Sequence, residues 1–151
     1  MKKVLFISST GGHLSELMKL EPLFEKYDYS IITEKDFSTW KLKDKYKIYY
    51  VPYSTRSKII RYFFKYSYVI LKLIILFIKI KPDVIITTGT HTAIPICLIG
   101  KIFNKKIVYI ETYANITRKS LTGKILYPIS DLFIVQWKEM KKLYPKAICI
   151  G

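Results

Sequence analysis

The stretch STGGH at 9–13 sets four hydroxyl or glycine positions and a histidine one residue beyond the apolar run VLFI. Two adjacent glycines let a chain turn sharply and bring its backbone close to a ligand. The amide donors of a helix starting there favour an anion or a neutral imidazole. Two chemistries therefore fit: Gly11 and Gly12 cradle an anionic group, or they present His13 as a general base working near neutral pH. A plainer reading, a strand turn followed by a polar cap residue, stands beside both. The spacing is not G-x-G-x-x-G, and no G-K-[ST] loop occurs anywhere in the chain.

Two further clusters carry similar residue types. In TTGTHTAIP, Gly89 follows a β-branched run, and Thr90 or Thr92 can cap a helix beginning near His91. In YIETYANITRKSLTGK, Glu111 ends another such run, with Thr112, Arg118 and Lys119 following. Glu111 could bind sugar hydroxyls or orient His13, and the cations could hold a pyrophosphate. Capping and solvated-loop roles are the alternatives for each cluster. No paired carboxylates accompany them, so no metal is implied.

These residues share a rim only if the fold brings them together. Short β-branched runs at 3–8, 29–33, 47–51, 83–88, 106–111, 131–136 and 147–150 alternate with helical stretches near 13–26, 56–80, 92–103, 120–128 and 137–143. That alternation predicts a Rossmann-like, doubly wound α/β domain with a parallel sheet covered on both faces. Ligands of such sheets sit beyond the carboxyl ends of the strands, which is where all three clusters fall. At 151 residues one domain, 1–151, is expected.

Residues 58–80 contain no acid, and their cations are Lys58, Arg61, Lys65, Lys72 and Lys79. At about 100° per residue these five fall within an arc of about 60°. Most of the circumference is then apolar, more than one sheet face can cover. A spanning helix wants about 20 apolar residues with few charges, and Lys65 and Lys72 interrupt this one. A helix lying in the membrane interface fits better, with its cations at anionic headgroups; a sheet-packed helix with a solvated lysine edge is the bland alternative.

The formal charge of +15 calls for an anionic partner. A nucleic-acid binder would place its cations in a groove with interleaved aromatics, whereas the clearest basic stripe here lies on a strongly apolar helix. No nucleic acid is expected. Cys97 and Cys149 have no metal-ligand spacing, no export signal is visible, and a cytoplasmic setting follows.

STGGHLSEL resembles the first glycine loop of the GT-B glycosyltransferases related to MurG, and DVIITTGTHTAIPICLIGK with IVYIETYA resembles later strands of their acceptor domain. Together with SLTGKILYPISDLFIVQW and YPKA, these motifs resemble the stand-alone N-terminal half of split enzymes. Those are the membrane-associated subunit of the asparagine-linked-glycan N-acetylglucosaminyltransferase and the CpsF- or PssD-like proteins of bacterial capsule and exopolysaccharide synthesis. The match spans nearly the whole chain.

The resemblance implies a peripheral subunit at the cytoplasmic membrane face that engages a polyprenyl-pyrophosphate-linked sugar, while a separate subunit binds the UDP-sugar. No cofactor is implied beyond that donor. His13 becomes the candidate base. Gly11, Gly12, Gly89, Thr90, His91, Glu111, Thr112 and Arg118 become candidate acceptor contacts, and the five cations of 58–80 become membrane contacts. A scaffold that only recruits the catalytic subunit is the alternative. Typical relatives carry an arginine shortly after the glutamate, where Asn115 stands here. The eukaryotic relatives' long N-terminal anchor is not seen, which favours the bacterial type.

Overall fold

The computed structural model describes residues 1–53 and 59–151. Its strands are β1 (Lys3–Ile7), β2 (Asp28–Lys35), β3 (Ile48–Pro52), β4 (Val84–Thr87), β5 (Lys106–Ile110), β6 (Leu132–Val135) and β7 (Ile148–Cys149). Its α-helices are α1 (Gly12–Met18), α2 (Ile59–Ile80), α3 (Ala93–Ile102) and α4 (Leu121–Leu126). The strands form one parallel sheet in the order β3-β2-β1-β4-β5-β6-β7. The expected doubly wound α/β fold is therefore present.

Alternation along β1 decides which layer covers which face. Val4 and Phe6 pack with Leu14 and Leu17 of α1, whereas Leu5 and Ile7 join Val69, Leu73 and Leu76 of α2 and Ile96 of α3. A strand buried on both sides must be apolar throughout, which is why KVLFI shows no polar alternation after Lys3. Winding runs outward from β1 to β3 and then crosses back to β4, so the connections diverge between β1 and β4. Their carboxyl ends form the switch-point crevice.

Two expected helices are shorter than the apolar spacing suggests. α1 stops at Met18, and a one-turn helix at Glu21–Leu23 follows with Pro22 in its first positions. Proline cannot donate to a preceding turn, so a continuous helix over 13–26 would lose a bond and meet a clash. The stretch 137–143 likewise forms only a one-turn helix at Lys138–Lys142. Cys97 lies in the core, and burial pushes its thiol up to about 12.

One sheet face is left partly open at its β7 end. Ile110, Ile134 and Ile148 stand in register on neighbouring strands, the first two half-buried and Ile148 exposed. Beside them Ile150 is also exposed.

The carboxyl end of β5 also carries a buried acid. Glu111 is 1% exposed, and its Oε2 accepts from Ser120 Oγ at 2.9 Å and Tyr144 OH at 3.3 Å. Oε1 accepts from Asn115 Nδ2 and Thr112 N, both at 3.2 Å, and from Tyr109 OH at 3.4 Å. Burial, then the charge of Glu111, raises both phenols, which keeps Tyr109 and Tyr144 protonated as donors. Ser120 Oγ also accepts from Gly123 N at 2.9 Å and so caps α4. A Cβ on Gly123 would collide with Glu111 Oε2, Tyr144 OH and Ser120 Oγ. Hence Glu111→Gln, which weakens charge-assisted bonds, should cost about 1.5–3 kcal/mol. Gly123→Ala should cost about 1–3 kcal/mol by overpacking. Urea unfolding reads both; unchanged midpoints would mean that the acid does not tie this segment together.

Candidate functional site

The first loop turns where expected. Gly11 sits at φ +82°, a region that costs a side-chain-bearing residue, and α1 begins at Gly12. His13 thus lies in the opening turn of α1, beside the carboxyl end of β4. Its Nδ1 is 2.9 Å from the Thr88 carbonyl oxygen, and Thr88 Oγ1 donates to the His13 carbonyl at 2.7 Å. A carbonyl only accepts, so Nδ1 carries a proton, and in the neutral ring the lone pair is on Nε2. The ring is half-buried. This is the tautomer in which Nε2 is the nitrogen that can accept a proton.

Thr88 was not among the residues singled out from the sequence, because a carbonyl contact leaves no side-chain signature. The second loop continues from it. Gly89 has φ +108°, and a Cβ there would stand 3.1 Å from Tyr109 OH and 3.8 Å from the His13 ring. Only glycine permits both the conformation and the approach. Thr90 has φ +81°, a strained setting for a β-branched residue worth about 1–3 kcal/mol. Thr92 occupies the N-cap position of α3 without a side-chain capping bond. Among the described residues the hydroxyls of Thr90 and Thr92 are buried and find no hydrogen-bond partner. His91 is half-buried, with Nε2 3.6 Å from Glu34 Oε1 at the end of β2.

The third loop corrects one expectation. Glu111 does not orient His13, nor does it reach out for sugar hydroxyls, because its carboxylate is enclosed by its own loop and by Tyr109 and Tyr144. Thr88 performs the orienting. Asn115 is one of the donors that close over Glu111. Thr112 Oγ1 instead donates to Glu16 Oε1 at 2.9 Å, and Tyr113 N donates to the same oxygen at 3.0 Å. Glu16 lies three residues after His13, so one helical face carries both the candidate base and the anchor of the third loop. The i,i+3 spacing in HLSE was the available signal for it. Arg118 is exposed on this loop, while Lys119 lies 5.0 Å over the Tyr144 ring.

Beyond β6, Trp137 Nε1 donates to the Tyr113 carbonyl at 2.8 Å, and the two rings lie 4.7 Å apart. With Gln136, Lys138, Glu139 and Gly151 they line an open cleft of about 420 Å³. Gln136 Nε2 donates to the Glu111 carbonyl at 3.0 Å, which joins this cleft to the third loop. The rim from His13 to Trp137 is thus one connected surface. Among the described residues no three His, Cys, Asp or Glu side chains group as metal ligands.

The described cations of 58–80 lie on α2. Arg61, Lys65 and Lys79 are exposed and Lys72 is half-buried, whereas Lys58 lies outside the described residues. Beside them Ile60, Phe64, Leu71, Ile75 and Ile78 of α2 are between 59% and 77% exposed. Ile102 and Phe103 extend the apolar surface, and the Phe77 and Phe103 rings lie 5.6 Å apart. No described helix is long and apolar enough to cross a membrane.

Residues 4–151 match the family described as Oligosaccharide biosynthesis protein Alg14 like. The chain is 30% identical over 177 residues to UDP-N-acetylglucosamine transferase subunit ALG14 of Mus musculus, covering 99% of this chain and 82% of that one. Its fold resembles MurG of Acinetobacter baumannii, with a TM-score of 0.74 at 17% identity, over 92% of this chain and 43% of MurG. A UDP-GlcNAc 2-epimerase from Methanocaldococcus jannaschii gives a TM-score of 0.72 at 16% identity, over 100% of this chain and 45% of the epimerase. The chain spans less than half of either solved structure, and these two likenesses speak for the fold alone. The match over almost the whole chain shows that it belongs to the Alg14-like family of oligosaccharide biosynthesis proteins.

Proposed function

We propose that this chain is the acceptor-binding and membrane-recruiting subunit of a two-subunit glycosyltransferase, with His13 as its general base. The observation that carries the reading is the Thr88 carbonyl on His13 Nδ1, which leaves Nε2 ready to accept a proton at the switch-point rim. The relatives' name as transferase subunits supports partner dependence and makes UDP-N-acetylglucosamine the first donor to test. The bacterial resemblance adds a capsule or exopolysaccharide setting, and the family description supports oligosaccharide biosynthesis. A panel of UDP-sugars with lipid-linked acceptors, assayed with the partner subunit, separates them.

In the reaction, the acceptor hydroxyl oxygen attacks the anomeric carbon of the UDP-sugar as its proton passes to His13 Nε2. The bond from that carbon to the UDP oxygen breaks, its electron pair leaves with the diphosphate, and configuration inverts. In this reading the acceptor's pyrophosphate is assigned to Gly89–Thr92, where α3 begins and the Thr90 and Thr92 hydroxyls find no partner among the described residues. Gly11 and Gly12 are assigned close backbone approach to the acceptor, and Arg118 and Thr112 further contacts from the third loop. The donor belongs to the partner. An open apolar row ending in Ile148 supports a surface for that partner.

The exposed apolar face of α2 supports peripheral membrane attachment at the cytoplasmic face. At about 100° per residue, Val69, Leu73, Leu76 and Ile80 face the core, and Ile60, Phe64, Leu71, Ile75 and Ile78 point the opposite way. Arg61, Lys65, Lys72 and Lys79 lie on the flank between, suited to anionic headgroups at about 1 kcal/mol each. A recruiting scaffold with no catalytic residue is the alternative reading.

His13→Asn should lower kcat of the reconstituted pair by about 10²–10⁴-fold while the subunits still co-purify; full turnover would favour the scaffold. Replacing Ile75 and Ile78 together by Glu should weaken sedimentation with anionic vesicles by at least about tenfold, since each buried apolar side chain contributes about 1.5–3 kcal/mol. Binding that survives both changes would place the membrane contact elsewhere.

A further inference from the structure

The loop that fixes His13 is itself held by α2. Tyr66 OH donates to the His91 carbonyl at 2.9 Å, and the Tyr66 and His91 rings lie 5.8 Å apart. Tyr62 stacks on Tyr66 at 5.6 Å with the planes 9° apart, and it too lies beside His91, at 6.4 Å. On its other side the His91 imidazole meets Glu34, whose side chain is 3% exposed. His91 therefore bridges α2 to the end of β2, passing over the end of β1, because β1 lies between β2 and β4 in the sheet.

Between this bridge and the base lie only three residues. Thr88 gives its carbonyl to His13, and Gly89 and Thr90 follow with φ of +108° and +81°. A threonine persists at positive φ only where its surroundings over-determine it. Within the loop Gly89 N donates to Thr87 Oγ1 at 3.0 Å and Ala93 N to the Thr90 carbonyl at 3.1 Å, while Thr92 adds no side-chain capping bond. Beyond Thr90, Tyr66, Tyr62 and Glu34 add contacts to His91 from outside the loop.

We propose that Tyr62, Tyr66, His91 and Glu34 form a clamp through which α2 sets the strained Thr88–His91 loop and so the orientation of His13. The inference rests on the reading of His13 as the base. It makes the membrane-facing helix a positioning element of the active site as well as an attachment: its outer face is apolar and exposed, and its inner face grips the loop that seats the acceptor. Tyr66 touches no reacting atom in this scheme. It acts through the His91 carbonyl, and its effect on rate passes through His13.

Tyr66→Phe removes the bond to His91 and leaves the ring packing. The complex with the partner subunit is assayed with UDP-N-acetylglucosamine and a sugar pyrophosphate on a short, water-soluble isoprenoid, so that membrane attachment plays no part. The expected result is a fall in kcat of at least about threefold, with donor KM and anionic-vesicle binding unchanged, and no further fall when Tyr66→Phe is added to His13→Asn. Glu34→Gln should behave in the same way. The chain has two histidines, so imidazole ¹⁵N spectra resolve both, and Tyr66→Phe should shift His13 away from the Nδ1–H form. A smaller fall in kcat, or a double variant slower by the product of the singles, overturns the clamp. If His13→Asn slows the complex and Tyr66→Phe does not, only the clamp falls. If His13→Asn has no effect, the base and the clamp fall together.

Discussion

The reciprocal hydrogen bonds between His13 and Thr88 span the point where the winding of the sheet reverses. One joins the imidazole to a strand-end carbonyl, and the other returns from the threonine hydroxyl to the histidine backbone. Two connections that leave the sheet toward opposite faces are thereby locked in register. The rim is built around that lock: Gly89, next to Thr88, is glycine because its φ is +108° and a Cβ there would stand 3.1 Å from Tyr109 OH, and Glu16, one turn further along α1, meets the third loop because α1 is fixed at its start. A crevice that the topology would create in any such sheet becomes here a site with a defined tautomer.

Glu111 and His13 illustrate how burial assigns roles to titratable groups. A carboxylate out of water needs donors, and Glu111 collects them from Thr112, Asn115, Ser120, Tyr109 and Tyr144. Those five donors come from β5, the third loop and the segment before β7, so satisfying one charge folds a long stretch of chain into place. The same satisfaction removes Glu111 from chemistry. Among the described residues His13 has a partner on Nδ1 and none on Nε2, an asymmetry that suits the proposed proton transfer.

The strands were legible because continuous β-branched runs have few alternatives once Gly and Pro mark their ends. Their parallel order followed from the intervening helices, and the strand-end rule then pointed to three loops that do share one rim. Helix length was less legible, since the apolar spacing of 13–26 runs past Pro22 while the backbone cannot. Within the site, residues that act through side chains of distinctive type, such as His13, were visible. Thr88 was not, because its contribution is a carbonyl, and Glu111 was misjudged because sequence does not tell an acid aimed at a ligand from one enclosed by its neighbours.

Helix α2 has to satisfy two environments at once, and that explains its composition. At about 1.5 Å per residue its 22 residues span roughly 33 Å, well beyond the short strands it covers. Its inner residues pack on the sheet. Its outer isoleucines and phenylalanines would cost about 25 cal/mol for each Å² left in water, a penalty that accumulates over many exposed positions and that nothing within the described chain offsets. Cations confined to one flank let such a helix rest in an interface without entering it, because their long stems can lie on apolar surface while the charges stay with headgroups. A surface held in that way also fixes the direction of the rim, since Tyr62 and Tyr66 at the start of the same helix contact the loop beside His13. On the proposed reading, attachment and acceptor geometry are carried by opposite faces of one rigid element.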